Sequence, residues 1–394
     1  MSVRVTRVAR SVGVLQVLTL RAGVLVLAVC SACQPPGLTL PGGGLEIRPP
    51  VWVTTFGGGA DVVETAAPVV VGDRVLVNIA HAMVALDTGS GRILWQTPTG
   101  ESNHSARLAL SGPNVVAANG SVEAFNIVTG QRAWEFPVDA STSLSWNAAD
   151  ADVVVVGTSE HAVYAIDAAT GQQRWRTDAM PTCQYRCITR GIALSGDTVY
   201  AAFDVFLTNG GGGSLGRVVA YARGDGHVLW SWDAALPAPQ TNNIGAAPAV
   251  YRNLLLLPDT YGGSFFALDR FAVREVWRTG NQGLPGAAGP DTPFLVVGDT
   301  AFLASVDGSV YAIAPLTGRI YWRANTNSSI GEELALCGNL VMSSTGRMRS
   351  HDRYTGVTQR QYRPRTRVLS SGVGASATRA FVIGFSGTVN AFDC

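Results

Sequence analysis

The sequence contains no lysine; all 29 of its basic residues are arginine. This absence excludes the phosphate-binding lysine of a P-loop, the ATP-binding lysine of a kinase and any Schiff-base lysine. Histidine is scarce too: the five histidines are scattered, with no H-x-H or H-E-x-x-H pair, and there is no G-x-S-x-G nucleophile elbow. The sequence therefore predicts no metal site, and we assign no catalytic residue.

Apolar side chains and glycine are abundant. The chain has 394 residues, of which 47% are hydrophobic and 14% charged, and it contains 45 glycines. The apolar fraction argues against disorder, and this much glycine indicates many turns. The length suffices for one large domain or two ordinary ones.

The N-terminus is typical of an exported protein. Residues 22–30 are an apolar run too short to span a bilayer as a stable helix, and positive charge precedes it at Arg4, Arg7, Arg10 and Arg21. We predict a signal peptide over residues 1–32. The sequence CSAC, ending at Cys33, resembles a bacterial lipobox and predicts lipidation of Cys33; plain cleavage after Ala32 is the alternative. Residue 34 is glutamine and not aspartate, which by resemblance to enterobacterial lipoprotein sorting favours the outer membrane. We therefore expect an outer-membrane lipoprotein that faces the periplasm.

Residues 33–46 are predicted to be a lipid-anchored tether, because proline and glycine dominate the segment after Cys33. Fully extended, the tether reaches at most roughly 45 Å. Without the signal peptide the chain has 25 arginines and 28 acidic residues, a formal charge of −3. This balance gives no general attraction to nucleic acid, and no nucleic-acid partner is expected.

One motif recurs through the rest of the chain. Residues 164–175, YAIDAATGQQRW, contain it in the form A-x-D-x-x-x-G-x-x-x-W. Its copies, some of them substituted, are 38 to 55 residues apart, and their aspartate column falls at residues 87, 126, 167, 222, 269, 314, 352 and 393. Self-similarity at roughly 40–45 residues indicates propeller blades.

Each repeat predicts four antiparallel strands: a hairpin, a strand that ends at the aspartate, and a strand that carries the tryptophan. The predicted fold class is therefore all-β, an eight-bladed β-propeller over residues 47–394. Because aspartate and asparagine bond backbone N–H groups of a following turn, we assign this column to structure and not to catalysis. Blade docking is predicted for the tryptophan column, which contains Trp52, Trp95, Trp134, Trp175, Trp230, Trp277 and Trp322.

The eighth copy of the motif is cut short, since only Cys394 follows Asp393. An incomplete last blade would leave an open strand edge. Residues 50–56, PVWVTTF, have a strand pattern but no motif of their own. We predict that they complete the eighth blade and close the ring.

The motif resembles the tryptophan-docking motif of the pyrroloquinoline-quinone (PQQ) repeat propellers, over about residues 50–394. One branch of that superfamily, the quinoprotein alcohol dehydrogenases, is characterised by an adjacent-cysteine disulfide, a calcium ion and an aspartate base. This chain has no Cys-Cys dipeptide and few carboxylates outside the repeat columns. The other branch, the BamB-type lipoproteins, is similar in its single ring, length and exported start.

The resemblance to the BamB branch implies a non-enzymatic scaffold without a cofactor. Its implied partner is the machinery that inserts β-barrels into the outer membrane. Two alternatives stay open: a quinoprotein dehydrogenase or other enzyme that uses the propeller funnel, and an exported repeat protein with a different protein or lipid partner.

The resemblance also implies a partner-binding segment at the entry to blade 4. BamB-type proteins have a hydrophobic-x-x-Arg-Gly run there; Arg190 and Gly191 match its Arg-Gly pair in this sequence, and Ile188 approximates its hydrophobic position. Family members can also carry an acidic pair just before the blade 5 proline. Asn243 and Gly245 stand there in this chain, so the family's acidic contact is not expected.

An insertion in blade 4, residues 204–217, accounts for the longest repeat spacing. Val205, Phe206 and Leu207 precede four glycines within it. These apolar residues predict either an extended hairpin with a flexible end or a contact for a partner or lipid.

The cysteines of the exported chain suggest one disulfide. Cys183 and Cys187 are predicted to close a small loop, because export implies an oxidising compartment; two free thiols are the alternative. Cys337 is predicted to be a small buried hydrophobic residue, and no pairing with Cys394 is expected.

Blade 7 contains a basic patch. Residues 346–367 hold seven arginines and one acidic residue, Asp352. The alternation of Arg363, Arg365 and Arg367 predicts that they share one strand face. Anionic lipid or an acidic protein surface is the candidate partner, and a solvated outer strand is the alternative.

Overall fold

The computed structural model describes residues 7–9, 14–20, 23–29, 45–56, 66–79, 81–100, 107–138, 144–159, 162–178, 186–207, 214–234, 243–260, 263–279, 292–326, 333–344, 347–368, 372–385 and 387–394. Every regular element in these parts is a β-strand. None of the described residues forms a helix long and apolar enough to cross a membrane.

Five strands precede the first blade. An antiparallel three-stranded sheet is formed by β1 (Arg7–Ala9), β2 (Val14–Leu20) and β3 (Gly23–Val29). Two strands follow, β4 (Glu46–Arg48) and β5 (Trp52–Thr55). Residues 30–44, including Cys33, lie outside the described residues, so the signal peptide, the lipidation and the tether stay predictions.

The eight blades follow one another in chain order, and each is a four-stranded antiparallel meander, as the sequence predicts. Blade 1 contains β6 (Val69–Val71), β7 (Arg74–Ile79), β8 (Ala82–Asp87) and β9 (Ile93–Pro98). Blade 2 contains β10 (Ala109–Ser111), β11 (Asn114–Asn119), β12 (Ser121–Asn126) and β13 (Arg132–Pro137). Blade 3 contains β14 (Leu144–Ala149), β15 (Val153–Thr158), β16 (Ala162–Asp167) and β17 (Gln173–Asp178). Blade 4 contains β18 (Arg186–Ser195), β19 (Thr198–Phe206), β20 (Ser214–Ala222) and β21 (Val228–Asp233).

The second half of the ring repeats this order. Blade 5 contains β22 (Ala249–Tyr251), β23 (Leu254–Asp259), β24 (Ser264–Asp269) and β25 (Arg274–Thr279). Blade 6 contains β26 (Leu295–Val297), β27 (Thr300–Ser305), β28 (Ser309–Ile313) and β29 (Ile320–Asn325). Blade 7 contains β30 (Ala335–Cys337), β31 (Leu340–Ser344), β32 (Met348–Asp352) and β33 (Thr358–Tyr362). Blade 8 contains β34 (Gly374–Ala375), β35 (Arg379–Gly384) and β36 (Thr388–Asp393), and its fourth strand is β5.

The N-terminal and C-terminal strands close the ring together, which confirms the sequence prediction. β5 pairs antiparallel with β36, with Trp52 opposite Ala391 and Thr55 opposite Thr388. β4 adds a fifth strand to blade 7, parallel to β33. The sequence did not predict this strand, because three residues after a proline- and glycine-rich segment carry no distinctive pattern.

The core lies between the blades. Neighbouring sheets cover both faces of each blade, so the middle strands β7 and β8 are almost wholly buried, whereas the outer strand β9 is exposed or half-buried. Hydrophobic clusters join adjacent blades; one of them contains Leu76 of blade 1 and Phe125 of blade 2. Apolar burial between sheets therefore stabilises every joint of the ring.

Six of the eight joints among the described residues share one tryptophan contact. The indole Nε1 of Trp134 donates a hydrogen bond of 2.9 Å to the carbonyl oxygen of Ala168 in the next blade. Equivalent bonds of 2.7–3.1 Å come from Trp52, Trp95, Trp175, Trp277 and Trp322. These bonds satisfy the indole N–H while the ring stays packed between two sheets.

The glycine of the motif receives the indole. Gly171 has a φ of +73°, and a β-carbon added there would lie 2.7 Å from the ring of Trp134. Another residue would therefore strain the backbone and displace the indole. The same close contact occurs at Gly91, Gly130, Gly226, Gly318 and Gly356.

The aspartate column holds the turn that carries this glycine. Oδ1 of Asp167 accepts hydrogen bonds from the backbone N–H groups of Ala169 at 3.1 Å and Thr170 at 2.9 Å. Hydrogen bonds from Arg174 and Thr170 hold the pKa of Asp167 well below its usual range. An always-ionised carboxylate bonded to its own turn has a structural role.

The joint between blades 4 and 5 departs from this pattern. Val273 replaces the glycine and has a φ of 52°, and the Trp230 indole N–H donates no hydrogen bond to any described residue. Trp230 packs between the two blades instead, with its ring centroid 5.8 Å from that of Tyr200. Arg270 of blade 5 reaches back to blade 4 and donates a hydrogen bond of 2.8 Å to Ser195.

Replacing Val273 with glycine is expected to raise the free energy of unfolding by about 1 kcal/mol, because a β-branched residue in the left-handed region is strained. The gain should appear as a higher midpoint in urea unfolding with an unchanged slope. Val276, an exposed residue of the following strand β25, is the control. Val276→Gly should lower stability, because glycine is unfavourable inside a strand. A loss of stability in Val273→Gly would contradict the strain.

The joint between blades 7 and 8 lacks the docking tryptophan. Arg360 stands in the tryptophan column. Arg360 forms an ion pair of 3.3 Å with Glu46 of β4. β4 pairs with β33 along the edge of blade 7, and the chain then enters blade 8 as β5.

A disulfide spans this joint, from Cys337 at the end of β30 to Cys394 after β36, with the two Cα atoms 6.0 Å apart. The prediction that Cys337 is an unpaired buried residue was wrong. The two cysteines are 57 residues apart in sequence, and only the adjacency of the last two blades brings them together.

Candidate partner-binding site

Blade 4 is longer than the other blades. β18, β19 and β20 have 10, 9 and 9 residues, whereas the first three strands of other blades have two to six. Antiparallel pairing places the extra length at the start of β18 and at the β19–β20 hairpin. Both lie on the face of the ring that carries the connections between blades, which we call the connection face; the tryptophan-docking turns lie on the opposite face.

A β-bulge places Arg190 at the start of this extension. The pairing of β18 with β19 shifts between Thr189 and Gly191, which leaves Arg190 as the extra residue. Gly191 then lies directly against blade 5, where a β-carbon on it would be 2.0 Å from the Cα of Ala247. The Arg-Gly pair therefore combines a redirected arginine with a residue that leaves room for the next blade.

Asp204 is the partner of Arg190, and sequence reasoning did not select it. The carboxylate Oδ2 lies 3.1 Å from the guanidinium of Arg190 and accepts a hydrogen bond of 2.8 Å from Nδ2 of Asn243. Asp204 and Asn243 are buried, and burial raises the pKa of Asp204 against the opposing effect of Arg190. The structure thus joins the two segments that the family resemblance implicated, the blade 4 entry and the residues before the blade 5 proline.

Several polar atoms of this cluster are buried without a hydrogen-bond partner among the described residues: Thr189 Oγ1, Arg190 Nε, Asp204 Oδ1 and Asn243 Oδ1. A buried polar atom left unpaired costs about 1–3 kcal/mol, so such atoms are rare and call for an explanation. These atoms lie on the connection face, on the first two strands of blade 4 and on the segment that enters blade 5. We call Thr189, Arg190, Asp204 and Asn243 the blade 4–5 cluster.

The apolar residues of the insertion differ in exposure. Leu207 is 54% exposed and Phe206 is half-buried, but Val205 is buried in a core cluster with Cys187. Val205, predicted to contact a partner, is therefore part of the core, because it lies inside β19, whereas Leu207 follows the end of that strand. Ile188 is half-buried opposite Asp204, and the glycine-rich tip, residues 208–213, lies outside the described residues.

The predicted Cys183–Cys187 disulfide can be described only in part. Cys187 is buried and disulfide-bonded. Cys183 lies outside the described residues, so the pairing itself stays a prediction.

A second polar pair lies at the centre of the ring and was not predicted. Arg107 and Glu333 occupy the same register, four residues before the end of β10 and of β30. They form an ion pair from blade 2 to blade 7, beside a cavity of about 210 Å³. Burial lowers the pKa of Arg107 and raises the pKa of Glu333, each opposed by the charge of the other. In blades 1, 4 and 5 this register is filled by Ala67, Gly191 and Ala247.

The basic patch of blade 7 does not form a strand face as predicted. β33 ends at Tyr362, and Arg363, Arg365 and Arg367 lie in the connection to blade 8. Pro364 explains the difference, because proline cannot donate to a strand ladder. The patch therefore lies on the connection face.

No group of three potential metal ligands occurs within the residues that the structure describes. The connection face thus presents two polar features, the blade 4–5 cluster on its inner strands and the arginines of the blade 7–8 connection. Both are suited to binding a partner.

Comparison with known proteins identifies the family of this propeller. A family model described as "Outer membrane protein assembly factor BamB" matches residues 49–210, 118–280 and 267–394. The chain belongs to this family. The matched segments extend over the ring from its closing strand to the C-terminus, which confirms the resemblance drawn from the repeat motif.

Individual relatives agree with the family match. The chain is similar to the outer membrane protein assembly factor BamB of Burkholderia pseudomallei, with 28% identity over 318 residues and 77% of each chain covered. The BamB of Yersinia pestis is 26% identical over 292 residues, with 69% of each chain covered. The crystal structure of BamB from Moraxella catarrhalis has a TM-score of 0.66 at 17% identity, over 88% of this chain and 99% of that one, which shows the shared fold.

A quinoprotein relative is also found. The quinohemoprotein alcohol dehydrogenase ADH IIB of Pseudomonas putida is 29% identical over 170 residues, which is 40% of this chain and 23% of that protein. The match covers part of the BamB-type ring and less than a quarter of the dehydrogenase.

Proposed function

We propose that this protein is a non-enzymatic scaffold of the BamB type that binds a component of the machinery assembling outer-membrane β-barrel proteins. The blade 4–5 cluster carries the proposal: Arg190, paired with buried Asp204, lies on the connection face, and Leu207 is exposed on the same face. The predicted signal peptide and lipidated Cys33 support a place on the periplasmic side of the outer membrane.

The chemistry of the cluster fits a protein segment. The guanidinium of Arg190, whose side chain is 34% exposed, can donate to a carbonyl or carboxylate of a partner. Leu207, which is 54% exposed, contributes apolar contact area. A buried polar centre with an apolar neighbour is the arrangement expected of an interface hot spot.

The enzymatic alternative has weaker support. The dehydrogenase match covers 40% of this chain, and the chain has no adjacent cysteines. Repeats shared between the two branches explain such a match without a shared active site.

The proposal is tested by crosslinking the full-length protein in its native envelope, followed by pull-down and mass spectrometry. We expect the barrel-assembly machinery to be recovered with the wild type and to fall at least about tenfold with Leu207→Glu. Leu207 is exposed, so this change should leave the melting temperature unaltered.

Leu316→Glu is the matched control. Leu316 is 46% exposed in the docking turn of blade 6, on the opposite face of the ring. Recovery with this variant should equal that of the wild type. The proposal fails if the wild type recovers no assembly machinery, and the location of the site fails if Leu207→Glu recovers as much as Leu316→Glu.

A further inference from the structure

A groove of about 310 Å³ lies between the outer part of blade 7 and the connection to blade 8. Its lining includes Arg347, Arg363, Arg365 and Arg367, together with Ile47 of β4. No acidic residue lines it. We call these four arginines and their surroundings the basic groove.

The four arginines carry uncompensated charge. Each is exposed, and none forms an ion pair with a carboxylate among the described residues, in contrast to Arg360 and Arg48 nearby, which share Glu46. Four like charges converging on one groove repel one another and create a positive potential. Such a groove favours an anionic ligand.

The loop that carries these arginines is held in place by buried contacts. The backbone N–H of Arg365 donates a hydrogen bond of 2.9 Å to Oδ1 of Asn390, which is fully buried. The backbone N–H of Arg363 donates one of 2.9 Å to the carbonyl of Arg48 on β4. The arginine side chains therefore project from a fixed backbone, which lowers the entropic cost of binding.

Apolar side chains accompany the charges. Ile47 is 49% exposed at the groove, and Phe385 is 48% exposed with the guanidinium of Arg367 5.7 Å from its ring centroid. Exposed aromatic and aliphatic side chains beside arginine are typical of surfaces that lie in the headgroup region of a bilayer. This combination favours a lipid surface over an acidic protein.

We propose that the basic groove binds the headgroups of anionic phospholipids and docks the blade 7–8 edge of the propeller on a membrane. The groove and the blade 4–5 cluster then lie on the same connection face, on well-separated blades. The predicted tether ends where β4 starts, beside the groove, and its reach of roughly 45 Å permits contact with the membrane that would hold Cys33.

Vesicle co-sedimentation tests this inference with the full chain carrying Cys33→Ser, so that no lipid anchor contributes. We expect binding to phosphatidylcholine vesicles containing about one third phosphatidylglycerol, weakening with salt, and none to pure phosphatidylcholine. The double variant Arg363→Gln/Arg365→Gln should bind the anionic vesicles roughly 20- to 30-fold more weakly, at about fivefold per arginine.

The matched control is Arg92→Gln/Arg274→Gln, which removes two exposed arginines beside docking turns, on the face opposite the connection face. It should bind like the parent chain. The inference is overturned if both double variants weaken binding equally, if neither does, or if the parent chain binds poly-glutamate but not the anionic vesicles. Because no assembly machinery is present, these outcomes are independent of the partner proposed for the blade 4–5 cluster.

Discussion

Replacing Cys394 with serine is expected to lower the free energy of unfolding by about 3–4 kcal/mol. The Cys337–Cys394 disulfide closes a loop of 57 residues, and the chain-entropy relation gives about 4 kcal/mol for a loop of this length. The bond also spans the one joint whose tryptophan column contains arginine. Its loss should therefore loosen the joint between blades 7 and 8 before the others.

Urea unfolding of the two single serine variants and of the double variant measures this effect. All three should be destabilised to the same extent, because each lacks the same bond. Hydrogen exchange should report the largest increase in blade 8. A decrease below about 1 kcal/mol would show that the tryptophan-free joint is held by β4 and apolar burial alone.

The repeat motif contained enough information to predict the ring. Each column has a local physical role: Asp167 bonds its own turn, Gly171 leaves room for an indole, and Trp134 fills that room. Because these roles are local and repeated, blade count and ring closure follow from spacing. β4 and the Cys337–Cys394 bond were not predictable in this way, since both depend on which blades the closed ring places side by side.

The candidate site was predictable only in part. A short motif identified Arg190 and Gly191, but Asp204 lies inside an insertion that has no counterpart in the other repeats. The β-bulge at Arg190 and the pairing of Ile188 with Asp204 are needed to bring the charges together. The same limit applies to Arg107 and Glu333, which share a register position in two blades that are distant in sequence.

The two irregular joints have different explanations. At the blade 7–8 joint Arg360 stands in the tryptophan column, and a disulfide and β4 link the two blades. At the blade 4–5 joint the chain continues, yet Val273 replaces glycine and Arg270 forms the link to Ser195. This second irregularity lies at the joint that also carries the blade 4–5 cluster.

Acidification from pH 6.5 to pH 4 is expected to cost the fold about 3 kcal/mol through His351 alone. This side chain is fully buried in blade 7, with Nε2 3.1 Å from the hydroxyl of Ser343 and Nδ1 3.1 Å from that of Thr358. Burial lowers the pKa of His351 to about 4, with a smaller contribution from Arg349. The unfolded chain binds a proton near pH 6.5 and the folded chain does not, so stability is complete above pH 6.5 and falls as the pH decreases towards 4.

Urea midpoints measured from pH 7 to pH 4 test this expectation against His351→Gln, which stays neutral throughout. Across that range the wild type should lose about 3 kcal/mol more unfolding free energy than His351→Gln. The carboxylates do not affect this comparison, because they are the same in both proteins. If the unfolding free energies of the wild type and His351→Gln fell in parallel with pH, the expectation would be wrong. The folded protein would then protonate His351 without loss of stability, with the hydroxyls of Ser343 and Thr358 accepting hydrogen bonds from the charged imidazole.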